Sequence, residues 1–171
     1  DGLGNTVDNM KIVSTAAGTV AFISNLAGGT VRNLGITNVN ISLEPTVSGY
    51  FATGALAGTT TGGTIDQVWS SGFIRAKSGS TFSGVVAGGL VGNSGSGTLT
   101  ISKSWSSVNL YGWGSTFTNA IAGGLIGGDL VNWSATSASA GGNVTISRSY
   151  ATGDIAFPTT SGTTGYGGIF G

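Results

Sequence analysis

Residues 87–110 read AGGLVGNSGSGTLTISKSWSSVNL, setting apolar pairs such as Leu90-Val91 among five glycines and six serines, with Lys103 as the only charge. The stretch recurs along the chain. GALAG (54–58), GGLVG (88–92), GGLIG (123–127) and GGIFG (167–171) are variants of one pentapeptide. Their central residues Leu56, Leu90, Leu125 and Ile169 are separated by 34, 35 and 44 residues, and Phe22 stands 34 residues before Leu56. A second block follows each of the first three: GGTIDQVWSSGFI (62–74), GTLTISKSWSSVNL (97–110) and GNVTISRSYATGDI (142–155). Earlier versions are GGTVRNLGITNVNI (28–41) and the partial GNTVDNMKI (4–12).

Glycine interrupts every unit, and Thr, Val, Ile and Ser fill the gaps, which disfavours helices and suits short strands between turns. A unit of about 34 residues cannot bury an apolar face alone, but stacked on its own copies it can, each strand bonded to its counterpart ~4.8 Å away. The expectation is an all-β, parallel β-helix (a β-solenoid) of about five coils with variable loops. The longest spacing is absorbed by the loop GDLVNWSATSASAGG (128–142). Glycines supply the sharp turns and the close approach of stacked backbones.

Aligning the copies on their first apolar residue gives the columns Val7, Val31, Ile65, Ile101, Ile146, then Met10, Leu34, Val68, Ser104, Ser149, then Ile12, Ile36, Ser70, Ser106, Ala151. On the same alignment Asp8, Arg32 and Asp66 form a charge ladder on a solvated face. Asn9, Asn33 and Gln67 form an amide ladder bonded along the axis, continued by Lys103 and Arg148, where the column must face water. Trp69, Trp105 and Tyr150 share a column in which the first full copy has Gly35. An interior aromatic exchanged for glycine leaves a cavity costing several kcal/mol, so an exposed aromatic stripe is expected, flanked by Trp113 and Trp133 on loops. Such a stripe either stacks on sugar rings or a partner, or simply packs strand against strand.

These blocks resemble the GLUG repeat of bacterial surface proteins, with its Gly-Leu-Val-Gly core and following aromatic block. SRSYATGDI (147–155) matches best, while the Trp69 and Trp105 copies depart at the aromatic and its neighbours. The opening DGLGNTVDNMKI and AGGTVRNLGITNVNI resemble the coils preceding such repeats in filamentous-haemagglutinin-type adhesins. The resemblance implies one right-handed solenoid segment over 1–171, with haemagglutinin-like coils at 1–41 and GLUG-like repeats at 52–171, the last incomplete. It implies a secreted or cell-surface location and a structural role.

Composition narrows the chemistry. Six basic and six acidic side chains cancel, so no electrostatic footprint for nucleic acid or an anionic membrane is expected. No apolar run approaches the ~20 residues of a membrane-spanning helix. Cysteine and histidine are absent, which removes disulfides, thiol nucleophiles, imidazole bases and imidazole metal sites. No Asp-rich loop offers converging calcium ligands. The expectations are therefore no catalytic residue, no metal and no cofactor. A chain starting at Asp1 and ending in GYGGIFG reads as a piece of something longer. Expected partners are the chain itself, stacked end to end, or surface glycans; a carbohydrate-binding or -cleaving β-helix is the rival reading. An ice-binding array is the third, disfavoured because the threonines of TVSGYFATG and GTTTGG do not line up between copies. The three sequons at Asn40, Asn132 and Asn143 matter only in a glycosylating secretory system.

Overall fold

A computed structural model describes residues 1–46, 48–77, 82–114, 117–128, 142–158, 162 and 164–171. The loop core at 129–141, with Asp129, Trp133 and the Asn132 sequon, lies outside the described residues. Described secondary structure is strand throughout, with no helix to cross a membrane. The chain starts with β1 (Asn5–Asp8), β2 (Lys11–Ser14), β3 (Gly18–Val20) and β4 (Ile23–Leu26). Next come β5 (Thr30–Leu43), β6 (Gly49–Gly54), β7 (Ala57–Thr60), β8 (Gly63–Lys77), β9 (Phe82–Gly88) and β10 (Val91–Asn93). They are followed by β11 (Leu99–Ser102), β12 (Trp105–Trp113), β13 (Ala120–Gly123) and β14 (Ile126–Gly128). The last are β15 (Val144–Ser147), β16 (Tyr150–Ala151), β17 (Ile155–Ala156) and β18 (Thr164–Gly167).

These strands form three sheets, visited in the same order on every pass of the chain. The first sheet runs β1-β5-β8-β11-β15 and also holds β2, β12, β16 and β17; the second is β3-β6-β9-β13-β18; the third is β4-β7-β10-β14. Every strand pairing is parallel. All-parallel sheets visited in rotation are compatible with a β-solenoid.

The repeated pentapeptide makes the turn from the second sheet to the third. There the Leu56 N–H donates to the Leu90 carbonyl (3.0 Å), Leu90 to Leu125 (3.0 Å) and Leu125 to Ile169 (3.0 Å). Leu56, Leu90 and Leu125 are fully buried. Phe22 has the corresponding place, since the Ile23 N–H donates to the Leu56 carbonyl, but its ring is 45 % exposed, because no strand follows on its outer side. The turn is too tight for side chains. A Cβ on Gly88 would strike the Val91 carbonyl, and one on Gly92 would strike the Thr53 backbone.

This close approach leaves the second sheet covered on both faces. Consecutive residues Phe51, Ala52 and Thr53 are buried, as are Val85, Val86 and Ala87. Phe51, Val85 and Ala87 join the main cluster with Ile65, Ile101 and Leu110 of the first sheet. Val86 and Ile121 lie on the other side, 3.4 and 3.1 Å from where a Cβ of Gly128 would stand. A strand buried on both faces reads as a continuous small or apolar run, without alternation.

Serine replaces aliphatic residues in the later copies and satisfies backbone groups there. Ser104 Oγ accepts from the Val68 N–H (3.0 Å), and Ser149 Oγ from the Ser104 N–H (3.1 Å). Ser70 Oγ donates to the Gly89 carbonyl (2.8 Å) and lies 2.9 Å from Ser106 Oγ.

The first strand stacks differently from the alignment. Val7 pairs with Ile36 instead of Val31, Asn5 with Leu34, and Ile12 with Ile41. Among the described residues, the first-sheet segment has a corner of positive φ on every pass and a second such corner on the first three passes only. One corner holds Leu3 (φ 54°), Asn33 (52°), Gln67 (54°), Lys103 (47°) and Arg148 (49°); the other holds Asn9 (58°), Asn38 (51°) and Gly72 (119°). Asn9 therefore belongs with Asn38, and matching it to Asn33 chooses the wrong corner. The amides do not bond to one another as a ladder. Asn33 Nδ2 donates to Asp1 Oδ1 (3.1 Å), Asn38 Nδ2 to Asp8 Oδ1 (2.8 Å) and Gln67 Nε2 to Asp66 Oδ2 (3.2 Å). What the column shares is the left-handed backbone, which asparagine tolerates better than most residues. Lys103 and Arg148 are exposed there, as like charges in adjacent strands require.

Two stability outcomes follow. Gly89 and Gly168 hold the same place in the pentapeptide. A Cβ on Gly89 would run into Ser106 Oγ and the Gly124 carbonyl, whereas one on Gly168 meets nothing within 4 Å. Urea denaturation should show Gly89→Ala destabilised by about 2 kcal/mol or more and Gly168→Ala within about 0.5 kcal/mol of the parent. Thr53 Oγ1 is buried without a partner in a column where Ala87 and Ala122 are its equivalents. Thr53→Val should gain about 1 kcal/mol in the same assay, since an unsatisfied buried hydroxyl costs roughly that much.

Candidate functional site

Charge singles out one face. Among the described residues, no charged side chain lies on the second or third sheet; all are on first-sheet strands or the segments flanking them. The first sheet has the long strands and an outer face open to water, while the second is covered on both sides.

The aromatic column lies on this outer face. Gly35 pairs with Trp69, Trp69 with Trp105, and Trp105 with Tyr150. Trp105 and Tyr150 are stacked with ring centroids 6.0 Å apart and planes 6° apart. Tyr150 is 53 % exposed, but Trp69 and Trp105 are half-buried, so the expected open stripe is in part a self-packed ladder. Gly35 explains the half-burial of Trp69: the indole lies over it, its Cε2 and Nε1 2.6 Å from the position of a Cβ there. The glycine makes room for the neighbouring tryptophan, which is why an aromatic column begins with the smallest residue. Trp113 ends β12 instead of sitting in a loop, and is 44 % exposed.

Of the aligned charged column, Arg32 and Asp66 do stand side by side, and only Asp8 departs. Asp8 stands opposite Thr37, while Arg32 stands opposite Asp66 and Asp66 opposite Ser102. Arg32 Nε bonds Asp1 Oδ2 at 3.0 Å, and Lys103 Nζ lies 3.8 Å from Asp66 Oδ1. Hydrogen bonds from Thr37 (2.7 Å) and Asn38 hold the Asp8 carboxyl below its ordinary value of 3.8. Ser102 (2.6 Å) does the same for Asp66, helped by Gln67 and by the charges of Lys103 and Arg148. Both carboxylates thus join neighbouring strands.

A further column escaped the sequence reading. Thr30, Thr64, Thr100 and Thr145 are successive partners along the first sheet, so threonines do line up, at positions other than those compared. They form a single file beside Arg32 and Asp66, not a broad array. Phe73, Arg75, Tyr111 and Trp113 also gather on this face and line a hollow of about 430 Å³. Phe73 lies in the repeated block at a position where the other copies have Asn40, Asn109 and Asp154, and Arg75, Tyr111 and Trp113 lie beyond it, so no repeat signal marks them as aromatic or basic.

Compared with protein families, curated proteins and solved structures, the chain matches none of them. The functional reading rests on the geometry of its own residues.

Because the folded-state values of Asp8 and Asp66 are depressed, their contribution to stability is complete above the unfolded value of 3.8 and is lost as pH falls through the lower folded value. Thermal melts should be nearly flat from about pH 8 to 5 and decline below about pH 4. Asp66→Asn should make that acid decline shallower.

Proposed function

We propose that this chain is a non-enzymatic, right-handed β-solenoid segment of five coils from a secreted or cell-surface protein, acting as a stalk or fibre that presents one side face. The observation that carries the reading is the stack itself, three all-parallel sheets visited in rotation with like residues paired on successive passes. Among the described residues, β1 to β4 pair on one side only, as do β15 to β18. Unpaired parallel edges are templates for more of the same pairing, supplied by further coils or by another copy stacked end to end. The right hand is the one that parallel crossover connections take in about 98 % of cases. At ~4.8 Å per coil the segment adds only ~25 Å of reach, so a stalk needs further repeats or stacking. The pentapeptide repeat and SRSYATGDI (147–155) support a kinship with GLUG-repeat surface proteins and filamentous-haemagglutinin-type adhesins.

Sedimentation velocity across a hundredfold range of concentration tests the stacking. Growth of elongated species at the high end is expected; a fixed monomer throughout rejects self-association. The rival reading, a carbohydrate-binding β-helix, is favoured by the ladder of Trp69, Trp105 and Tyr150 on the open face. A glycan array separates the two: binding that Trp105→Ala abolishes favours the rival, and binding that is absent or unchanged in that variant leaves the stalk.

A further inference from the structure

The far half of the first sheet's outer face differs from the aromatic ladder. Phe73 and Arg75 lie on β8; Tyr111 and Trp113 lie on β12, where Tyr111 is the partner of Arg75 and Trp113 of Lys77. Arg75 Cζ sits 5.2 Å from the Phe73 ring centroid, and Lys77 Nζ sits 5.1 Å from that of Trp113. Elsewhere on the sheet Arg32 and Lys103 have carboxylate partners. Among the described residues, Arg75 and Lys77 have none within salt-bridge distance and rest on aromatic faces instead. Two carboxylates flank this region and are already engaged: Glu44 accepts from Ser42 Oγ at 2.8 Å, and Asp8 accepts from Asn9, Thr37 and Asn38.

Tyr111 and Trp113 are 36 % and 44 % exposed. The hollow they line with Phe73 and Arg75 meets a second one, of about 500 Å³, at Phe73. The second is lined by Lys11 and by the amides of Asn9, Asn38 and Asn40. Phe73 lines both hollows, so rings, amides and the Lys11 and Arg75 cations fall along one track on this face.

We propose that this track binds a carboxylate-bearing polysaccharide, a uronate chain, independently of the Trp69–Trp105–Tyr150 ladder. The exposed Tyr111 and Trp113 rings offer flat apolar faces to sugar rings, and the amide oxygens accept from hydroxyls, since the Nδ2 groups of Asn9 and Asn38 already donate to Asp8. The Arg75 fork and the Lys77 ammonium take the carboxylates, planar recognition being what a guanidinium does best. A concave, open-ended track suits a polymer; a flat lipid surface would reach only its rim.

Affinity electrophoresis of the 171-residue chain through gels containing polygalacturonate, dextran or neither tests the assignment. Polygalacturonate should retard the chain and dextran should not. The retardation should fade as salt rises, because exposed charges are screened. The double variant Arg75→Gln/Lys77→Gln, altering exposed side chains, should bind about tenfold more weakly with an unchanged thermal melt, and Trp113→Ala should weaken binding too. Trp105→Ala should bind like the parent, which separates this site from the ladder. Equal retardation by dextran, none by polygalacturonate, an unaffected double variant, or tighter binding to phosphatidylglycerol vesicles than to polygalacturonate would each overturn the proposal. None of these outcomes bears on end-to-end stacking, which sedimentation reads separately.

Discussion

The parallel hydrogen bonding of each strand to its equivalent on the next pass governs everything else in this molecule. Parallel register puts like beside like: Ile65 on Ile101 on Ile146, Thr64 on Thr100 on Thr145, Trp69 on Trp105. Every side chain must therefore be compatible with its own counterparts on both sides, about 4.8 Å away. Aliphatic and aromatic residues meet this by packing, and serine by bonding into the neighbouring backbone, as Ser104 does toward Val68. Charged residues meet it by changing sign or polarity between neighbours, as Arg32, Asp66 and Ser102 do.

The same constraint allots the faces. At the pentapeptide the second and third sheets approach until backbone touches backbone, leaving no room for a Cβ on Gly88 or Gly92. The second sheet is then buried on both sides, and ionised groups have no place on it. The first sheet, with its long strands, keeps an outer face in water and carries every described charge and the aromatic ladder. Glycine thus does two separate jobs: it closes the turn, and at Gly35 it clears space for the Trp69 indole.

Much of this was legible in the chain. The leucine column, the glycine turn and the sequence of aromatic partners all follow from the repeat, since one structural job repeated leaves one pattern repeated. The first strand did not follow. Two left-handed corners in the early passes, at Asn33 and Asn38 in β5, make Asn9 look equivalent to Asn33, while the hydrogen bonds place it with Asn38. The threonine file lies near the strand starts, away from the threonine-rich stretches TVSGYFATG and GTTTGG. Arg75, Tyr111 and Trp113 lie beyond the repeated blocks and Phe73 has no aromatic counterpart within them; they meet because β8 and β12 are adjacent, with Arg75 opposite Tyr111.

The sequence by itself determined that the chain is β-rich, that its units stack on one another, and that turns fall at the glycines, because these depend on local propensity and on periodicity. Tertiary structure decided which corner each asparagine occupies, how much of Trp69 and Trp105 water can reach, and which cations lack a carboxylate. Those depend on what stands one pass away, and a strand's own residues do not specify its neighbour.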